Sequence, residues 1–161
     1  MITLNDIKDA KKRLDGTVYK TPLMKAPFLS TEKNAEIFFK EDNLQLTGSF
    51  KLRGAFNKVA MLDDLKKAAG VVAASAGNHA QGLAFAASYF KCEATIFMPE
   101  ATPLTKVLGV KSYGANVVLT GENFDEAYAS AIKFAKDNNK EFVHPFADDE
   151  GEDYSTFDED D

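Results

Sequence analysis

The chain has 161 residues, 45% of them hydrophobic and 27% charged, the balance of one globular domain, or one domain plus part of another, that can bury a core. Its formal charge of -6 is uneven: nine acids and no base lie between Ala147 and Asp161, leaving sixteen acids against nineteen bases, a net +3, in residues 1–146. With no basic patch interleaved with aromatics, no apolar run of about 18 residues, no apolar stretch with basic flanks near the start and a lone Cys92, the sequence argues against nucleic-acid binding, a membrane span, a signal peptide and an internal disulfide. A cytoplasmic, reducing setting without a metal is the expectation.

Residues 3–14 are predicted to form a helix, with Thr3 as N-cap and Leu4, Ile7, Ala10 and Leu14 near one face. Pro22 and Pro27 then punctuate a loop, Ala35 to Lys40 suggests a strand, and Gly48-Ser49-Phe50-Lys51 opens a helix to about Met61. From Gly70 the pattern alternates. Strands are predicted at 70–74, 94–98, 115–119 and 141–144, and helices at 78–90, after Thr102-Pro103, and from Asn123. Thr102 with Pro103 resembles an N-cap followed by proline at the first helical position. Asn123 and Glu126 form a capping-box pair ahead of an apolar stripe of Phe124, Ala127, Tyr128, Ala131, Ile132 and Ala135. Apolar strands alternating with helices define an α/β fold: an open parallel sheet of about four strands with helices on both faces. Most of the thirteen phenylalanines fall on apolar faces and are assigned to the core. The acidic stretch after Phe146 has no apolar periodicity and is expected to stay disordered.

Two segments go beyond what a core needs. In Thr47-Gly48-Ser49-Phe50-Lys51-Leu52-Arg53-Gly54 a lysine sits at the start of a helix behind a glycine-serine turn. The pattern alone admits a solvated lysine at a capped helix start. It also admits an activated amine, because the helix N-terminus and the neighbouring Arg53 supply positive potential that disfavours the ammonium form. In Ala74-Ser75-Ala76-Gly77-Asn78-His79-Ala80-Gln81-Gly82 small residues join a buried strand to a helix, leaving backbone N–H groups and the helix dipole open to an anion. A plain tight turn capped by Asn78 fits that spacing equally. His79 is assigned a positioning or packing role, and His144 and Cys92 structural ones.

Together the two segments are more specific. Thr-Gly-Ser-Phe-Lys-Leu-Arg-Gly-Ala followed by Ser-Ala-Gly-Asn-His-Ala-Gln-Gly resembles the threonine and serine dehydratase family, which includes serine racemase, within the fold type II pyridoxal enzymes; related sulfhydrylases usually carry Thr-Ser-Gly-Asn-Thr at the turn. The resemblance runs from about residue 4 to Phe146. It takes in Tyr19-Lys20-Thr21-Pro22-Leu23, Glu41-Asp42-Asn43-Leu44-Gln45, Phe97-Met98-Pro99-Glu100, and Tyr113-Gly114-Ala115 with Val117-Val118-Leu119.

It implies pyridoxal 5'-phosphate as cofactor, with Lys51 bonded to its aldehyde and later moving the substrate Cα proton. Phe50 is implied to pack by the pyridine ring, and Asn78 to bond its phenolic oxygen. Ser75, Ala76, Gly77 and Asn78 are implied to bind the substrate carboxylate. The implied reaction is dehydration and deamination of L-threonine, or L-serine, to 2-oxobutanoate, or pyruvate, and ammonia, in amino-acid metabolism that includes isoleucine biosynthesis. It implies three regions: 1–50 from the large cofactor domain, 51–146 as the small α/β domain, and 147–161 as the acidic tail. Self-association, or association with a full-length homologue, is the implied partnership.

Relatives in this family continue into a second domain with a glycine-rich phosphate loop and a residue at the pyridine nitrogen. No four-glycine run occurs among the ten glycines here, and Gly151-Glu152-Asp153-Tyr154 stands where the family continues with glycine-glutamine-glycine-threonine. A truncated, non-catalytic fragment or interaction module is therefore the alternative reading.

Overall fold

The computed structural model describes residues 2–145. Helix α1 (Leu4–Leu14) starts on the predicted cap: Thr3 accepts from the Asp6 backbone N–H, and the Asp6 carboxylate returns a bond to the Thr3 N–H at 2.8 Å. A two-stranded antiparallel hairpin follows, β1 (Leu23–Lys25) with β2 (Phe38–Lys40), enclosing α2 (Pro27–Lys33). The loop that Pro22 and Pro27 are expected to punctuate therefore holds a strand and a helix, and only the last three residues of the expected 35–40 strand pair.

The main body is α3 (Lys51–Met61), α4 (Asp64–Ala69), β3 (Val71–Ala74), α5 (Asn78–Tyr89), β4 (Ala94–Met98), α6 (Leu104–Lys111), β5 (Asn116–Leu119), α7 (Phe124–Asp137) and β6 (Glu141–Phe142). The four strands are parallel in the order β5-β4-β3-β6, with Ala73 opposite Ile96, Ile96 opposite Val117, and Val71 opposite Glu141. This is the open α/β layer that the sequence predicts.

Alternation along each strand divides the core between two faces. Val71, Ala73, Ile96 and Met98 pack with Leu52, Phe56, Val59, Leu83 and Ala87 of α3 and α5, whereas Val72, Ala74 and Phe97 pack with Ala131 and Ala135 of α7. Phe56 is almost wholly enclosed, its ring centroid 5.0 Å from Tyr89 and 4.9 Å from Phe90. Burial on both faces stops at the centre of the sheet: β5, at the edge, is only partly covered.

Three sequence expectations need correction. Pro103, not Thr102, is the N-cap of α6; its ψ of 136° is extended, so the helix begins at Leu104, and the Thr102 hydroxyl is buried without a hydrogen-bond partner among the described residues. Gly77, not Asn78, occupies the N-cap of α5. Phenylalanine is only in part a core residue: Phe56 and Phe97 are buried and Phe85, Phe90, Phe134 and Phe142 pack against the core, but Phe28, Phe38, Phe39, Phe50 and Phe124 are exposed. Of the expected strand at 141–144, two residues pair, and the Val143 N–H adds one more bond to Val72 O at 2.8 Å. No described helix is long and apolar enough to cross a membrane. The acidic segment 147–161 lies outside the described residues.

Candidate functional site

Strand order determines where a ligand can sit. From β3 the chain steps outward to β4 and β5, then returns through α7 on the opposite face to place β6 on the other side of β3. The order reverses at β3, and the crevice beyond the carboxyl end of such a strand is where open α/β sheets bind ligands. The small-residue turn Ser75–Asn78 leaves β3 at that point.

Local chemistry fits the position. The Ser75 N–H is tied to Phe97 O at 3.1 Å, and the Gly77 N–H to Ser75 Oγ at 3.2 Å. The first N–H groups of α5 have no acceptor within their own helix and carry its positive dipole end. A Cβ placed on Gly77 meets nothing within 4 Å among the described residues, which leave the turn open there.

Helix α3 brings the lysine to the same place. Gly82 makes this possible: a Cβ there lies 3.2 Å from the backbone of Lys51 and Leu52, so α5 and α3 touch main chain to main chain. Lys51, the first residue of α3, donates from Nζ to Pro145 O at 2.9 Å and lies 5.3 Å from the centroid of the Phe50 ring. Phe50, Lys51, Ser75, Ala76, Gly77 and Asn78 therefore line one cleft of about 390 Å³, which Ala74, His79, Phe124 and Pro145 complete. Sequence reasoning did not assign Phe124 or Pro145 to the site. Phe124 counted as part of the apolar stripe of α7, yet it begins that helix and stands 41% exposed.

Arg53 does not face the lysine. It forms a two-point ion pair with Asp42, Nη2 to Oδ1 at 3.0 Å and Nε to Oδ2 at 3.1 Å, and donates to Thr21 Oγ1 at 3.2 Å. Residues i and i+2 of a helix point to different sides, so the positive potential expected from Arg53 serves the packing of residues 19–42 against α3.

His79 is buried, with Nε2 3.2 Å from Val143 O. Desolvation lowers its pKa to about 4, opposed by the Val143 hydrogen bond and aided by the charges of Lys51 and His144. The ring is neutral at physiological pH, and because a carbonyl only accepts, its proton sits on Nε2. Burial pushes the Cys92 thiol upward, which leaves it a poor nucleophile.

Fold and site define a class: a parallel α/β domain that presents a lysine and an anion-receptive turn to one cleft at its switch point. A family model described as pyridoxal-phosphate dependent enzyme matches residues 14–156. Over 148 residues the chain is 50% identical to L-threonine ammonia-lyase of Thermotoga maritima, covering 92% of this chain and 37% of that protein. Serine racemase of Dictyostelium discoideum superposes with a TM-score of 0.84 at 33% identity over 91% of this chain and 48% of that one. Threonine deaminase isoform 2 of Solanum lycopersicum does so with a TM-score of 0.80 at 34% identity, covering 91% and 42%. The chain belongs to the pyridoxal-phosphate dependent enzyme family, of fold type II, and spans under half the length of these relatives.

The lining residues fit one end of that family's cofactor. An amine, an aromatic ring and an open glycine turn suit an aldehyde, a pyridine ring and an adjoining carboxylate. Lys51 is the only cation among the described lining residues, so they offer the phosphate no second charge partner.

Proposed function

We propose that the chain supplies the lysine-bearing half of a site for pyridoxal-phosphate-dependent dehydration and deamination of L-threonine, or L-serine, to 2-oxobutanoate, or pyruvate, and ammonia. The observation that carries this reading is the shared cleft: Lys51 and the Ser75–Asn78 turn meet where the sheet order reverses. Similarity to the threonine ammonia-lyase of Thermotoga maritima supports the substrate class.

In this reading Lys51 would hold the cofactor by its aldehyde, and the amine, once released, would take or return the proton at the substrate Cα. Phe50 would pack beside the pyridine ring, and the Asn78 amide would donate to its phenolic oxygen. The turn Ser75 to Asn78 would hold the substrate carboxylate, with the N–H groups of Ala76 and Asn78 as its open donors, since the Ser75 N–H is bonded to Phe97 O and the Gly77 N–H to Ser75 Oγ; a helix N-terminus suits that task. The cofactor, when bound, supplies an electron sink for the carbanion at Cα, which lets the β-hydroxyl leave.

Residues 1–50 are proposed to belong to a large cofactor domain and 51–146 to form the small one. Exposed Leu23, Met24, Phe28, Phe38 and Phe39 on the hairpin and α2 support that division, since roughly half or more of each is open to solvent. The phosphate is then held by residues outside the described ones, with self-association or pairing with a full-length homologue as the route to a complete site in the cytoplasm.

A second reading, a folded but non-catalytic fragment, is favoured by the lining that gives the phosphate no second cation. Purified chain mixed with pyridoxal phosphate discriminates. An absorbance near the visible edge that survives dialysis, vanishes in Lys51→Ala, and is accompanied by 2-oxobutanoate from threonine supports the enzyme. A band that washes out with no oxo acid supports the fragment.

A further inference from the structure

We propose that His79 is a positioning residue for the Lys51 amine, acting through the backbone of residues 143–145. The proposal rests on Lys51 being the reactive amine, and deepens that reading.

Segment 143–145 continues from β6, whose hold on β3 comes from a regular series: Glu141 N–H to Gly70 O at 3.0 Å, then Val143 N–H to Val72 O at 2.8 Å. The next donor in that series falls on residue 145, a proline with no N–H to give. Pairing by the sheet therefore ends at Val143, two residues short of the carbonyl that Lys51 uses. His79 takes over at that point, bonding Val143 O at 3.2 Å from the first turn of α5, while Pro145 O receives Lys51 Nζ at 2.9 Å.

The resulting chain of contacts runs from α5 through three residues of backbone to the amine. Each part is fixed: His79, Val143 and Pro145 are buried, and the start of β6 is anchored by Glu141, which pairs with Lys58 at 3.2 Å and Lys66 at 3.1 Å. Packing alone gives no reason for an imidazole here, because an apolar side chain would fill the site without the cost of desolvating a ring. What the ring adds is one directed donor to a backbone carbonyl, and that carbonyl belongs to the segment that holds Lys51.

The test reads the amine without cofactor, so failure of cofactor loading leaves it interpretable. Trace acetylation with acetic anhydride, followed by peptide mass spectrometry, gives the rate at Lys51 relative to the exposed Lys106. In His79→Leu the relative rate at Lys51 is expected to rise about threefold to tenfold, the factor carried by one ordinary hydrogen bond. His79→Gln, which keeps a side-chain N–H donor, is expected to return it to within about twofold of the unaltered chain.

His144→Gly loosens the segment without touching the His79 ring and without adding an N–H at residue 145. It should raise the rate similarly, and the double variant with His79→Leu should add little, since both act on one path. An unchanged Lys51 rate in a folded His79→Leu chain, no return in His79→Gln, or fully additive effects in the double variant overturns the proposal. If circular dichroism shows His79→Leu unfolded, the other two single variants decide: a normal rate in His79→Gln with a raised one in His144→Gly supports it, and any other pairing overturns it.

Discussion

Replacing Gly82 with alanine tests whether the close crossing of α3 and α5 sets the position of Lys51. The added methyl meets Leu52 Cα, Leu52 N and Lys51 C, each at 3.2 Å, so one helix must move by a few tenths of an ångström. Overpacking of this kind costs about 1–3 kcal/mol, against a gain of about 0.5–1 kcal/mol for alanine over glycine in a helix. The net expectation is a loss of about 1 kcal/mol, which lowers the melting temperature by about 2–4 °C in a chain of this size. Gly109→Ala in α6 is the internal control. Its methyl meets only Gln81 Nε2 at 3.5 Å, an ordinary contact, so the helix gain stands alone and the variant should be stabilised by about 0.5–1 kcal/mol. Urea denaturation followed by circular dichroism measures both. Gly82→Ala as stable as Gly109→Ala would mean that the two helices have slack at the crossing and that Gly82 does not hold α3 in place.

Two further outcomes follow from buried groups. Because His79 titrates near 4 in the folded chain rather than at its ordinary 6.5, the unfolded state binds more protons between those values; stability is complete above pH 6.5 and falls as pH drops toward 4. The difference amounts to about 2 kcal/mol by pH 5, to be read as the excess loss of unfolding free energy over His79→Gln between pH 7.5 and 5; parallel curves would contradict it. Asp42→Ala removes the partner of Arg53, whose side chain is only 11% exposed, and should cost about 3–5 kcal/mol in the same denaturation assay, whereas a loss below about 1 kcal/mol would place that pair among weak surface ones.

The parallel layer was legible because its cues are local. Val71–Ala74 and Ala94–Met98 are short apolar runs that end at small or polar residues, and Thr3 and Asn123 cap their helices with side-chain oxygens as their types predict. Of the hairpin only β2 was legible, inside the strand expected at 35–40; β1 and α2 were not, for a physical reason: Leu23, Met24 and Phe28 are exposed, so no buried face imposes a period on the sequence. Helix α4 was missed although Asp63 accepts from the Lys66 N–H at 2.8 Å, because six residues are too few to display a stripe. In the site, the lysine and the turn each stand out within nine residues of chain. The bonds that join them to the end of the sheet span 64 residues for His79 to Val143 and 94 for Lys51 to Pro145, and no local pattern encodes such partners. Arg53 carries the opposite lesson: two residues from Lys51 in sequence, it is turned away by helix geometry toward Asp42.

The return of the chain to place β6 beside β3 has a consequence during synthesis. A nascent polypeptide leaves the ribosome with Val71–Ala74 already made, yet one side of that strand lacks its neighbour until Glu141 to Val143 have emerged. During that interval an apolar template with unpaired amides is available to any other growing copy. Those last three residues are thus the seal that turns an aggregation-prone edge into the interior of a sheet.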